Sequence, residues 1–192
     1  MPEPAYSLYL TLRQEGKTIP YPAQKWANSR NHGFWLLKGH PERIAQVPEA
    51  KACPGLAHAL ERINAAETEF YTAGCDYSLN TESNGSHWAK GYIDCIFVDP
   101  KQASDCQAYF DLFRSFDAYL RDQDYHDPID FHWELESVDF IEDNYSGWTL
   151  CLWVTTDFSD TAEACQTSWN EAIELFCCFM DQVPFDDGKV SE

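Results

Sequence analysis

Apolar and polar positions alternate over residues 5–13, AYSLYLTLR, the two-residue period of a half-buried strand. Residues 18–32 hold Pro20, Pro22 and many polar side chains, which predicts a loop with Trp26 tucked in. A short strand is expected at 34–38, then one or two helical turns between Pro41 and Pro48. Pro54 stands where a helix can start. The run 55–68 then places Leu56, Leu60 and Ile63 on one helical face.

Two strands, 71–81 and 86–98, flank Asn84-Gly85, a dipeptide favoured where both turn residues take positive φ. On the second arm Ile93, Cys95 and Phe97 share one face, while Tyr92, Asp94, Ile96 and Val98 share the other. An arm apolar on both faces reads as a central strand. From 103 to 122 the period changes to three and four, with Cys106, Tyr109, Phe110, Phe113, Phe116 and Leu120 forming a stripe. Asp105, Asp111, Asp117 and Asp122 fall mostly off it. Strands follow at 129–141 and 148–158, joined through Asp143-Asn144-Tyr145-Ser146-Gly147. In the first, Phe131, Trp133 and Leu135 alternate with His132, Glu134 and Glu136, and the phase then slips to Val138 and Phe140. That slip predicts a β-bulge near Ser137. A last helix is expected at 160–182, capped by Ser159 or Asp160, with a stripe of Ala162, Cys165, Trp169, Ile173, Phe176 and Met180. Pro184 ends it and a loose tail follows.

These elements predict an α+β fold, an antiparallel or mixed sheet with two main amphipathic helices packed on one face. From residue 91 onward the order is strand, helix, strand, strand, helix (βαββα). That order is similar to a ferredoxin-like domain lacking its last strand, a place that a strand from the N-terminal half could fill. No internal repeat or low-complexity linker divides the chain, so residues 1–192 read as a single domain.

Composition narrows the class. Apolar residues make up 44% and aromatic residues 15%, enough for an ordered core. The N-terminus lacks a basic segment followed by a long apolar run, and no stretch of about 18 apolar residues occurs, so neither a signal peptide nor a membrane span is predicted. The expected location is cytoplasmic. Eight cysteines, without a C-x-x-C pair, fall mostly on apolar faces and read as reduced, buried thiols. For the adjacent Cys177 and Cys178, the helix phase places Cys177 beside the stripe and turns Cys178 away.

Charge changes the picture most. Residues 1–102 hold ten Lys/Arg against eleven Asp/Glu, and residues 103–192 hold three against twenty-one, so nearly all of the net charge of −19 falls in the second half of the chain. Such a charge steers cationic partners and disfavours direct nucleic-acid binding, which needs Lys and Arg on phosphates.

Candidate chemistry is sparse. The acidic stretch from Asp122 through Asp124, His126, Asp127 and Asp130 to Glu136 resembles a calcium loop only loosely, since it lacks the turn glycine and the twelfth-position Glu. No G-x-S-x-G, H-E-x-x-H or P-loop pattern is present. No catalytic residue, metal ligand or cofactor is therefore assigned. The expected site is a partner-binding face formed by Asp130, His132, Glu134, Glu136, Asp139, Glu142, Asp143, Trp148 and Trp153, carboxylates beside aromatic anchors. The function expected from it is a non-enzymatic acidic inhibitor of a basic macromolecule. A toxin-immunity protein, or a phage-type anti-defence inhibitor such as an anti-CRISPR protein that mimics nucleic acid, has that physics. The alternatives are a metal-dependent or cysteine enzyme with a pocket between the sheet and the N-terminal segment, and a structural subunit that assembles through a sheet edge.

Overall fold

The computed structural model describes residues 5–24, 31–123 and 125–183, and in it five strands form one mixed sheet. The strands are β1 (Ser7–Ile19), β2 (Phe70–Thr81), β3 (His87–Phe97), β4 (Ile129–Phe140) and β5 (Tyr145–Thr156), in the spatial order β1-β4-β5-β3-β2. β1 runs parallel to β4 and every other neighbour pair is antiparallel. The helices are α1 (Pro48–Ala52), α2 (Pro54–Ile63), α3 (Pro100–Ser104), α4 (Cys106–Asp122) and α5 (Ala162–Met180), with a 3-10 turn at Pro41–Gln46. The fold is α+β, as the pattern predicts. β5 lies between β3 and β4, and β2 takes the outer place beyond β3.

α4 and α5 cover one face of the sheet. Phe116 of α4 and Phe176 of α5 both pack on Trp133 of β4, and all three are fully buried. Each such side chain contributes about 1.5–3 kcal/mol on burial. Trp169 of α5 is held edge-on by Tyr77 of β2, with its indole N–H donating to Val154 O of β5 at 3.2 Å. Gly91 of β3 makes room for that ring: a Cβ there would lie 2.7 Å from Trp169 and 2.5 Å from Asp76 O.

Several boundaries depart from the pattern. Residues 34–38 form no strand. Phe34 N donates to Tyr21 O, and the Lys38 ammonium then donates to the carbonyls of Ala65, Thr68 and Phe70, so the segment is an anchored loop. α2 stops at Ile63 because the Asn64 side chain donates to Leu60 O and to Thr72 of β2, while accepting from Thr72 N. The 103–122 helix is two helices, since Asp99 and Asp105 each accept a backbone N–H and start α3 and α4. Thr161, not Ser159 or Asp160, caps α5, because Ser159 is bridged to His87. In the hairpin turn only Gly85 has positive φ (88°), and Asn84 instead accepts from Ser86 N. The bulge near Ser137 lies on the partner strand: β4 pairs β5 without interruption, whereas β1 carries extra residues between Arg13 and Lys17. Ser137 donates to Gln14 O within that bulge. Trp26, Asp124, Pro184 and the tail lie outside the described residues.

Candidate functional site

The sheet face opposite α4 and α5 is only partly covered. Antiparallel pairing puts opposed residues on one face, so His132 and Glu134 of β4 share this side with Trp153 and Cys151 of β5 and with Tyr92 and Asp94 of β3. Tyr21, residues 31–37 and the Pro48-Glu49 corner form a second wall, tied down by the Tyr21 hydroxyl donating to Ala73 O at 2.7 Å. Between the two runs an open cleft of about 750 Å3, within the usual range for ligand pockets.

Ionic groups line its floor. Lys17, delivered by the β1 bulge, is ion-paired to Asp94 and lies 3.2 Å from Glu136. Arg13 meets Glu134 at 2.7 Å, and the Trp153 indole N–H donates to the other Glu134 oxygen at 3.0 Å. Lys90 stands over the Trp153 ring, 4.5 Å from its centroid. Asp94 is 5% exposed, and burial raises its pKa against the opposing pull of Lys17. Burial likewise disfavours the Lys17 ammonium, but Asp94 and Glu136 outweigh it and hold its pKa above the ordinary lysine value. The buried Thr149 hydroxyl lies beside Asp94 and, with Lys17, opposes the rise at that carboxyl. Burial also pushes the Cys75 thiol, on the cleft wall, up to about 12.

The sequence-predicted face is thereby divided. Glu134, Glu136 and Trp153 lie in the cleft, and His132 is next to it, bonded to Thr11 at 2.8 Å. Trp148 packs half-buried against the core. Asp139, Glu142 and Asp143 lie at the far end of the β4–β5 hairpin, roughly 30 Å of strand from Asp130 at about 3.3 Å per residue. Glu142 and Asp143 flank a second groove of about 780 Å3, lined by Phe34, Tyr71, Phe140 and Tyr145.

At the Asp130 end the chain presents a group that the alternation did not single out. Phe158 is 60% exposed, and Asp157, Asp160 and Glu163 lie near it in the chain. The Asp157–Pro128 bond and the Asp130–Thr155 pairing bring Asp127 and Asp130 to the same end of the sheet, and all five carboxylates are exposed. The segment is firmly held, since Asp157 N donates to Pro128 O, and Ser159 and His87 exchange both backbone bonds. None of these five carboxylates has an ion-pair partner among the described residues. By contrast, other acidic groups of residues 103–183 are paired with cations from the first half of the chain: Glu134 with Arg13, Glu136 with Lys17, and Glu174 and Asp181 with Arg62.

Two signals were available in the sequence. Asp94 is a charge within a strand apolar on both faces, which marks a buried and paired carboxylate. Phe158 is a lone aromatic among Asp157, Asp160 and Glu163. Arg13 and Lys17 could not be assigned, because their partners depend on which strand β1 joins. Among the described residues no helix is long and apolar enough to cross a membrane, and no three His, Cys, Asp or Glu side chains converge as metal ligands. Comparison with protein-family models, with curated proteins and with solved structures finds no match to this chain.

Proposed function

We propose that the protein is a non-enzymatic binding protein that blocks a basic macromolecule, its acidic surface standing where phosphates would otherwise lie. The observation that carries this reading is the Phe158 surface: an exposed aromatic side chain on a segment held by backbone bonds, in a stretch with five exposed carboxylates that have no ion-pair partner among the described residues. An anchor on an already held backbone loses little main-chain freedom on binding, and a rim of one charge sign raises the encounter rate. The partner chemistry that fits is a protein with an apolar pocket bordered by Lys and Arg, as on a nuclease-like toxin or a nucleic-acid-binding effector of a defence system.

The surface variants differ from those that the sequence suggests. Reversing Glu134 or Glu136 would strip Arg13 or Lys17 of a partner and disturb the fold, whereas reversing Asp157 and Asp160 breaks no ion pair among the described residues. A basic protein captured at low salt is identified, purified and its kinetics measured against the wild type, an Asp157→Lys/Asp160→Lys double variant and Phe158→Ala. The double variant is expected to lower the association rate about tenfold or more at low salt, and Phe158→Ala to raise the dissociation rate. Unchanged rates in both would remove this surface from the interface, and a partner whose affinity ignores salt would overturn the charge-based reading.

A further inference from the structure

We propose that the outer edge of β1 is a pairing surface for a second copy of this chain, with residues 7–13 of the two copies antiparallel about a two-fold axis at Leu10. The proposal does not depend on the basic-partner reading. β1 is one of the two outer strands, and among the described residues it pairs only with β4. A strand paired on one side turns alternate backbone N–H and C=O groups outward. These are a template for another strand unless charge, proline, a bulge or a cover guards them.

The two edges of the sheet differ in that protection. Side chains occupy the backbone of β2: the Lys38 ammonium donates to Phe70 O and the Tyr21 hydroxyl to Ala73 O, while Asn64 and Asp76 accept from Thr72 N and Tyr77 N. β2 also carries a bulge between Thr72 and Gly74. In β1 the bulge and the charges of Arg13, Glu15 and Lys17 guard only the second half. Over residues 7–13 no backbone group outside the β4 ladder has a hydrogen-bond partner among the described residues. Residues 7–12, SLYLTL, hold no charge, proline or glycine, and Tyr9 and Leu12 are 51% and 44% exposed.

This edge is complementary to its own sequence. With Leu10 facing Leu10, every pair joins residues of equal parity, so outward backbone groups meet outward backbone groups. Leu8 of each copy then opposes the exposed Leu12 of the other, and Tyr9 opposes Thr11, an aromatic and β-branched pair. Ser7 opposes Arg13, and no like charges meet. The incoming Arg13 lies beyond Ser7 from Asp130 of β4, two strand spacings or about 10 Å away, within one Debye length at about 0.1 M salt. Asp130 has no ion-pair partner among the described residues, and the two copies' Asp130 side chains fall at opposite ends of the paired run, about 20 Å apart. The net charge of −19 on each copy opposes association, so screening by salt favours it.

Sedimentation equilibrium of the whole chain tests the proposal. The expected result is a reversible monomer–dimer equilibrium that tightens as NaCl is added, the opposite sign to capture of a basic partner. Leu12→Lys should weaken the dimer about tenfold, because each copy then sets an ammonium against Leu8 of the other. Leu79→Lys, matched in charge and placed at an exposed leucine of the β2 edge, should leave it unchanged. An unchanged urea midpoint shows that each variant is folded. Amide hydrogen exchange on the wild type gives a readout that needs no variant, since residues 7–13 should gain protection as protein concentration rises. A chain that stays monomeric to about 1 mM, a dimer that Leu79→Lys weakens equally, or assembly that grows past two copies overturns the proposal. Protection of residues 7–13 that ignores concentration would mean that another segment of the chain covers the edge. Protection gained only with a basic partner would give the edge to that partner, and either result overturns the proposal as well.

Discussion

Burial sets the reactivity of the eight free cysteines. Burial raises the pKa values of Cys95 and Cys151 well above the ordinary thiol value, and those of Cys75 and Cys177 to about 12. Reaction needs a thiolate and a path for the reagent: Cys95, Cys151 and Cys177 lack both, and Cys75, on the cleft wall, lacks the thiolate. Cys106 and Cys178 are half-exposed, the latter beside Arg62 at 3.6 Å and Glu174 at 3.3 Å. Maleimide labelling of native protein at neutral pH is expected at Cys106 and Cys178, with all eight labelled in denaturant. Mass spectrometry reads the sites, and rapid native labelling of Cys95 or Cys151 would show that the sheet opens to solvent. This much was legible at the residue scale, because helix phase alone separates Cys177 from Cys178. The Arg62 contact was not, since it joins residues 116 apart in the chain.

At the scale of elements, the docking of α5 on the sheet depends on Gly91, where β3 passes beneath Trp169. Gly91→Ala would force a methyl group to within 2.7 Å of a fully buried ring and 2.5 Å of a backbone oxygen. Neither neighbour is the far end of a flexible side chain. The expected loss is about 1–3 kcal/mol, the usual range for overpacking a filled core. Urea unfolding measures it, and an unchanged midpoint would mean that α5 is not seated as described. Sequence periodicity located both long helices, the β2–β3 hairpin and the β4–β5 pair, because each buries one regular face. It misplaced residues 34–38 and the Ser137 bulge for a shared reason. An extended run looks alike whether its backbone joins a ladder or a loop, and a phase slip does not say which strand holds the extra residues. Only the pairing of β1 with β4, parallel and remote in sequence, settles the second point.

At the scale of the whole molecule, the acidic half of the chain is not an acidic lobe. β4 and β5 enter the sheet between β1 and β3, so Arg13, Lys17 and Arg62 pair with Glu134, Glu136 and Glu174 across strand and helix contacts. The charge asymmetry was plain in the sequence, but its distribution in space needed the strand order. A pH dependence follows. In the folded state the pKa of Lys17 is raised, as are those of Tyr21, Tyr77, Cys75 and Cys177, the latter four to about 12. The unfolded chain therefore releases these protons first, from about pH 8.5 for Cys and about pH 10 for Tyr and Lys. Above those values the unfolded state binds fewer protons than the folded state, so stability falls as pH rises. Deprotonation also deepens the net charge of −19, and repulsion acts in the same direction. The urea midpoint is expected to stay level around neutral pH and to decline steadily from about pH 8.5 towards 12. Salt separates the two contributions: added NaCl screens surface repulsion and recovers that part of the loss, but it does not screen buried groups. Full recovery in salt would show that the buried protons contribute nothing to alkaline unfolding. A midpoint that stayed level to pH 11 would mean that the cleft and core hydroxyls and thiols are far more hydrated than their burial indicates.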